Sequence, residues 1–215
     1  MRNKFTEQLN SLNNQMIYMG SLCENAIDLI IDSLNINNLD LAQKAIDKSS
    51  EIESLEKDIE SLCMKLLLEQ QPVASDLRQI SSALKIASDL KRIGNHIEDI
   101  GLIVLHVKKI DKNVYPSINE MAYATKRMLN EAIDAFVKKN VELAINVIDE
   151  DDVVDQCFTD IKTVLIELIS KHKENGELAL DLFMISKYFE RIGDHAANVA
   201  EWVIYSVTGV HKGES

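Results

Sequence analysis

The sequence predicts an all-α protein built as a tandem repeat of two three-helix bundles, six long antiparallel helices in all. Three observations carry this. Only seven Gly and two Pro occur in 215 residues, too few for a turn-rich β protein, and aromatics at 5% agree with a helical one. Apolar residues recur at alternating spacings of three and four along most of the chain, the period of a helix that buries one face. Leu90-Lys91-Arg92-Ile93-Gly94-Asn95-His96 returns 99 positions later as Phe189-Glu190-Arg191-Ile192-Gly193-Asp194-His195.

The first helix follows from the seam Phe5, Leu9, Leu12, Met16, Met19, Cys23, Ala26 and Ile30, a rod of about 45 Å at 1.5 Å per residue. Asn35-Ile36-Asn37-Asn38 breaks it, because Asn tolerates turn conformations. The second, from about Leu39 to Glu69, carries Ala42, Ala45, Ser49, Ile52, Leu55, Ile59, Leu62 and Leu66. Pro72 closes that region, and Ser75 is the expected N-cap of a third helix running from Asp76 to about Lys108. Its two apolar rows, Leu77-Ile80-Leu84-Ala87 and Ile86-Leu90-Ile93-Ile97-Ile100, mark it as the most enclosed helix of its bundle.

Lys108 to Pro116 reads as a connector, which places the boundary between a first module, 1–110, and a second, 111–215. The pattern then starts again. Ile118, Met121, Thr125, Met128, Ala132 and Ala135 outline a fourth helix ending near Asn140. A fifth carries Ala144, Val147, Asp151, Val154, Phe158, Ile161, Leu165 and Leu168. Asn175-Gly176 is the expected turn, with glycine at positive φ, before a sixth helix on Leu178, Leu182, Ile185, Phe189, Ile192, Ala196, Val199 and Val203. Gly209 and Gly213 mark a fraying tail.

The formal net charge of −12 argues against a nucleic-acid binder. No apolar h-region follows Met1 and no apolar run approaches the ~18 residues of a spanning helix, so a cytoplasmic protein without membrane insertion is expected. Cys23, Cys63 and Cys157 lie far apart and read as reduced fillers.

The position that breaks the pattern is Asp151, an acid in an apolar seam between Val147 and Val154. A carboxylate there must be protonated, paired or bound to a cation. Asp155 lies one turn on, and Glu190 and Asp194 are spaced likewise on the sixth helix. Two antiparallel helices so equipped bring four carboxylates to one patch, which suits a hard, oxygen-liganded metal such as iron, manganese, magnesium or calcium better than zinc. Against this stands a solvated face, or pairing with Lys187 and Arg191. In the first module the equal places hold Ser49, Glu53, Lys91 and Asn95, so an ion pair between Lys91 and Glu53 is expected instead of a metal. His96 and His195, and Arg92 and Arg191, occur in both modules and are expected to be structural or to make surface ion pairs.

The paired Glu-Arg-Ile-Gly-Asp-type segments, the two three-helix modules and Gln71-Pro72-Val73-Ala74-Ser75-Asp76-Leu77-Arg78 together resemble the PhoU family, from Phe5 to about Gly209. The resemblance implies a cytoplasmic, non-enzymatic negative regulator of phosphate uptake and phosphate-starvation signalling. Its implied partners are the sensor histidine kinase of the phosphate regulon and the ATPase subunit of the phosphate-specific ABC transporter, with homodimerisation. It also implies iron or zinc bound by acids one turn apart, here Asp151, Asp155, Glu190 and Asp194. A plain helical scaffold or chaperone is the rival reading. A di-iron carboxylate enzyme needs Glu three residues before a histidine, and those places hold Ile93, Ile103, Ile169, Ile192 and Thr208.

Overall fold

The computed structural model describes residues 2–69, 73–107 and 115–210. These form six α-helices: α1 (Arg2–Ile36), α2 (Leu39–Glu69), α3 (Ala74–His106), α4 (Tyr115–Lys138), α5 (Val141–Lys171) and α6 (Gly176–Thr208), with a short 3₁₀ turn at Lys173–Asn175. No strand occurs among the described residues. The predicted seams are interior rows apart from Leu77, near the start of α3, which is 48% exposed. Leu12, Met16, Met19, Cys23, Ala26 and Ile30 are fully buried on α1, as are Ile118, Met121, Thr125, Met128, Ala132 and Ala135 on α4. A residue every three or four positions stays on one side of a helix, and that side meets its neighbours.

α1, α2 and α3 pack on one another, α4 and α5 each pack on α6 and on each other, and the two sets meet where α3 lies on α6 and α1 on α4. The buried apolar side chains form one continuous cluster through both sets. α3 runs antiparallel to α6: Arg78, near the start of α3, packs 3.5 Å from where a Cβ would project at Gly209, just beyond α6. At the other end the His106 charge acts on Asp181. The middles of the two helices are therefore side by side, which puts the repeated Arg-Ile-Gly-x-His segments together.

The helix ends depart from the expectations in instructive ways. Asn37 and Lys139, at equal places in the two modules, hold left-handed backbones with φ of 53° and 51°. Each is followed by an Asn whose side chain accepts a backbone N–H of the next helix: Asn38 from Asp40 at 3.0 Å and Asn140 from Leu143 at 3.1 Å. Ser75 does not cap α3. The helix begins a residue before it, from the extended Val73, with no side-chain cap. Gly176 is not a positive-φ stop either, since it has helical angles (φ −59°, ψ −44°) and opens α6. The glycine that ends a helix is Gly209, whose φ of 77° lets its N–H bond Tyr205 O at 2.8 Å. Pro116 falls in the first turn of α4 rather than in a connector, where a missing N–H costs no helical bond. Pro72, Lys108 to Asn113 and Gly213 lie outside the described residues.

Candidate functional site

Glycine 193 sets how closely α5 and α6 approach. A Cβ there would lie 3.3 Å from both Asp151 Oδ1 and Val154 Cγ1, so the Asp151 carboxylate rests against the backbone of α6. Asp151 is half-buried between the fully buried Val147 and Val154. Burial pushes its carboxyl up to about 6, and the charges of Asp194, Asp155, Glu190 and Asp152 push the same way. Asp194 is raised too, by burial and then by Glu190 and Asp155, against the lowering influence of Lys187 and His195. The four acids singled out from spacing thus act on one another across two helices. Asp155 and Asp194 stand at the exposed edge.

The patch holds a cation of its own. Lys187 Nζ donates to both oxygens of Glu190 at 2.5 Å. The Glu190 side chain is only 14% exposed. Lys187 also lies over the Phe158 ring of α5, 5.2 Å from its centroid. Oxygen donors in a partly buried, self-repelling set have the chemistry a hard metal ion takes. As the side chains stand, however, no group of three or more His, Cys, Asp or Glu residues is arranged to hold an ion among the described residues.

In the first module, Lys91 Nζ reaches back to α2 as expected, but to Glu56 at 3.2 Å rather than to Glu53. Glu53 is taken by Lys57, one turn away on its own helix, at 2.9 Å. Glu56 is the more enclosed acid, 16% exposed against 49% for Glu53, so a lysine directed inward meets it first. Ser49, at the place of Asp151, is buried and donates to Glu98 at 2.9 Å.

The repeated histidines meet at the seam between the two sets of helices. His96 and His195 stack with ring centroids 5.6 Å apart. Each also contacts the other helix two turns from its own counterpart: His195 Nδ1 bonds Asp89 at 2.9 Å, while His96 lies 5.6 Å from the Tyr188 ring. Asp89 and Tyr188 occupy equal places in the two modules, so the contacts form an approximately two-fold pair. Burial, the neighbouring His195 and the Arg191 charge lower the His96 pKa, and Asp99 opposes them. Arg92 and Arg191 make no ion pair within 4 Å among the described residues, so of the two roles expected of them surface ion-pairing is not the one seen. Both line a groove of about 790 Å³ that runs from the histidine pair to Asp151 and Asp194.

Glu56, Asp89, Tyr188 and the meeting of Lys187 with Phe158 are what periodicity did not single out. Lys187 carried a visible signal, three residues before Glu190 on one helical face. The others are joined across helices, which spacing along a chain does not report.

These features define a class: a duplicated three-helix protein with its repeated motifs paired at the seam and an acidic patch in one copy. The family model described as "PhoU domain" matches twice, at residues 16–104 and 118–203, and the chain belongs to the PhoU family. It is 32% identical over 210 residues to the phosphate-specific transport system accessory protein PhoU homolog of Clostridium acetobutylicum, covering 97% of this chain and 96% of that one. With the homolog of the same description from Aquifex aeolicus it shares 35% over 189 residues, 87% of this chain and 86% of the other. The crystal structure of PhoU from Pseudomonas aeruginosa superposes with a TM-score of 0.92 at 29% identity, over 96% of this chain and 100% of that one. That of the phosphate transport system regulatory protein PhoU from Streptococcus pneumoniae gives 0.88 at 25% identity, over 97% and 99%.

Proposed function

We propose that this chain is a negative regulator of phosphate uptake and of phosphate-starvation signalling. It acts without catalysis, through contact with the sensor histidine kinase of the phosphate regulon and the ATPase subunit of the phosphate-specific ABC transporter. The observation that carries this reading is the match of one family description to both halves, together with relatives named as phosphate-transport accessory proteins over nearly their whole length. The proposed setting is the cytoplasm, with the chain divided at 110/111 and working as a homodimer. No described helix is long and apolar enough to cross a membrane. Deleting the gene and measuring alkaline phosphatase and phosphate uptake in phosphate-rich medium tests the role. Both should rise, and unchanged values would leave only the scaffold reading.

The cation reading belongs to the same proposal. Asp151, Asp155, Glu190 and Asp194 form a patch for a hard metal ion such as iron or manganese, supported by the burial and, after it, the mutual repulsion that hold Asp151 and Asp194 above the ordinary carboxylate range. When bound, the ion supplies positive charge between α5 and α6. The side chains' part is to orient oxygen donors and, for Asp151, to exclude water from one side. Elemental analysis of the purified protein beside a Glu190→Ala, Asp194→Ala double variant should show metal only in the unmodified chain.

A further inference from the structure

We propose that a cavity at the start of α3 is a binding site for inorganic phosphate, built on Arg78, Lys139 and Asp76. The site lies apart from the acidic patch of α5 and α6. It goes beyond the regulator reading, which by itself calls for no small ligand.

The cavity, of about 250 Å³, opens where the start of α3, the turn between α4 and α5 and the end of α6 come together. Arg78, Lys139, Asp76 and Ser206 are among its lining residues. The volume is below the ~300–1,000 Å³ of pockets for drug-sized molecules, and suits a small ion. Arg78 is held in place. Its Cδ, Nε and Cζ lie 3.5 Å from where a Cβ would project at Gly209, whose φ of 77° closes α6. Nε is buried there with no partner among the described residues. An arginine packed in this way presents a planar fork already oriented for an oxyanion. Lys139, in its left-handed backbone, brings a second cation to the cavity. The adjacent Lys138 is engaged with Asp134 at 2.6 Å, whereas neither Lys139 nor Arg78 makes an ion pair with a described acid. α3 also begins here without a side-chain cap, so its first backbone N–H groups add partial positive charge to that of the two side chains.

Two cations alone accept any anion, and Asp76 is what selects among them. It lines the same cavity and leaves the three side chains with one net positive charge. A carboxylate repels a fully ionised oxyanion but accepts a hydrogen bond from one that keeps a proton. Near neutral pH phosphate keeps a P–O–H and sulfate keeps none. The opposite end of the molecule supplies an internal comparison. At the places equal to Arg78, Asp76 and Lys139 stand Glu177, Asn175 and Asn37. α6 therefore opens with an acid where α3 carries its arginine, and the set of three occurs at one end only. Part of the Gln71 to Arg78 stretch, distinctive in the sequence, thereby acquires a role.

The test is isothermal titration calorimetry of the chelator-treated, full-length chain with inorganic phosphate and, separately, sulfate, in chloride buffer near neutral pH. Phosphate should bind at a single site per chain, at least about ten-fold more tightly than sulfate. Arg78→Met and Lys139→Met should each weaken phosphate binding about ten-fold or more. Lys138→Met, one residue away, should bind as the unmodified chain does. Asp76→Asn should bring sulfate to within about two-fold of phosphate. Lys139 is exposed, so Lys139→Met tests the site in a folded chain even where Arg78→Met disturbs packing on Gly209. Absence of phosphate binding, or equal affinity in the unmodified chain and Lys139→Met, would overturn the site. Equal binding of phosphate and sulfate by the unmodified chain would overturn the selection assigned to Asp76. The regulator reading is tested by gene deletion in cells, so its failure and the failure of this site are read separately.

Discussion

The acid at position 151 is costly where it stands, and its cost depends on pH. Its folded-state carboxyl titrates at about 6, above the ordinary aspartate value, because burial and four neighbouring carboxylates disfavour its charge. Between the ordinary value near ~4 and about 6, the folded state holds a proton that the unfolded chain has released, so stability falls as pH rises through that window. Asp151→Asn removes the charge but keeps the shape. In chelator-treated protein it should raise stability at pH ~7.5 by about 1–2 kcal/mol and flatten the decline, as read by urea denaturation at several pH values. An unchanged pH profile would show that Asp151 is not the acid responsible. The anomaly was legible in the sequence as a carboxylate in a valine seam. That Lys187 pairs with Glu190 rather than with Asp151 was not, because which of several acids a lysine meets depends on burial. Lys91 passing over Glu53 for Glu56 is the same lesson in the other module.

At the scale of helices, close approach is what brings the acids together, and glycines set it. Gly101 of α3 leaves no room: a Cβ would lie 2.7 Å from Ile46 Cγ1 and 3.3 Å from the backbone oxygen of Ala42. At Gly193 the nearest atoms are at 3.3 Å and belong to side chains. Alanine gains about 0.5–1 kcal/mol of helix propensity at either position. Gly193→Ala should therefore be near neutral, while Gly101→Ala should destabilise by about 1–3 kcal/mol as α2 is pushed off α3. Thermal denaturation of the two variants compares them directly, and equal melting points would contradict the assignment of Gly101 as the tighter contact. The seams that formed these helices were readable because periodicity is a property of one segment. Caps were less so. Ser75 has the right side chain for an N-cap but sits inside the first turn, and Gly176 could take positive φ but adopts helical angles. Residue type licenses a cap, and the packing of the neighbouring helices decides where the turn begins.

Across the molecule, the repeat does not produce two independent cores. The buried cluster runs through both sets, and α3 and α6 meet along their lengths with the His96–His195 stack and the His195–Asp89 bond between them. Separate unfolding of one set would expose the apolar face of α3 or α6 to water, at about 25 cal/mol for each Å² uncovered. Calorimetric unfolding should accordingly show one cooperative transition, whereas two resolved transitions would contradict a shared core. The groove beside the histidine pair joins the two sets to the acidic patch, so a change at Asp151 or Asp194 lies within reach of the seam through Arg191 and His195.

By itself the sequence determined the helices, their grouping in threes, the likeness of the two modules and the four acids that distinguish the second. Each of these is written in spacing or in residue type, which folding preserves. Only the tertiary structure decided that the repeated motifs face one another, that Arg92 and Arg191 line a groove without ion-pairing to a described residue, and that Lys91 meets Glu56 rather than Glu53. These are contacts between helices, selected by burial and by which side chains arrive at the same place, and no period along the chain encodes them.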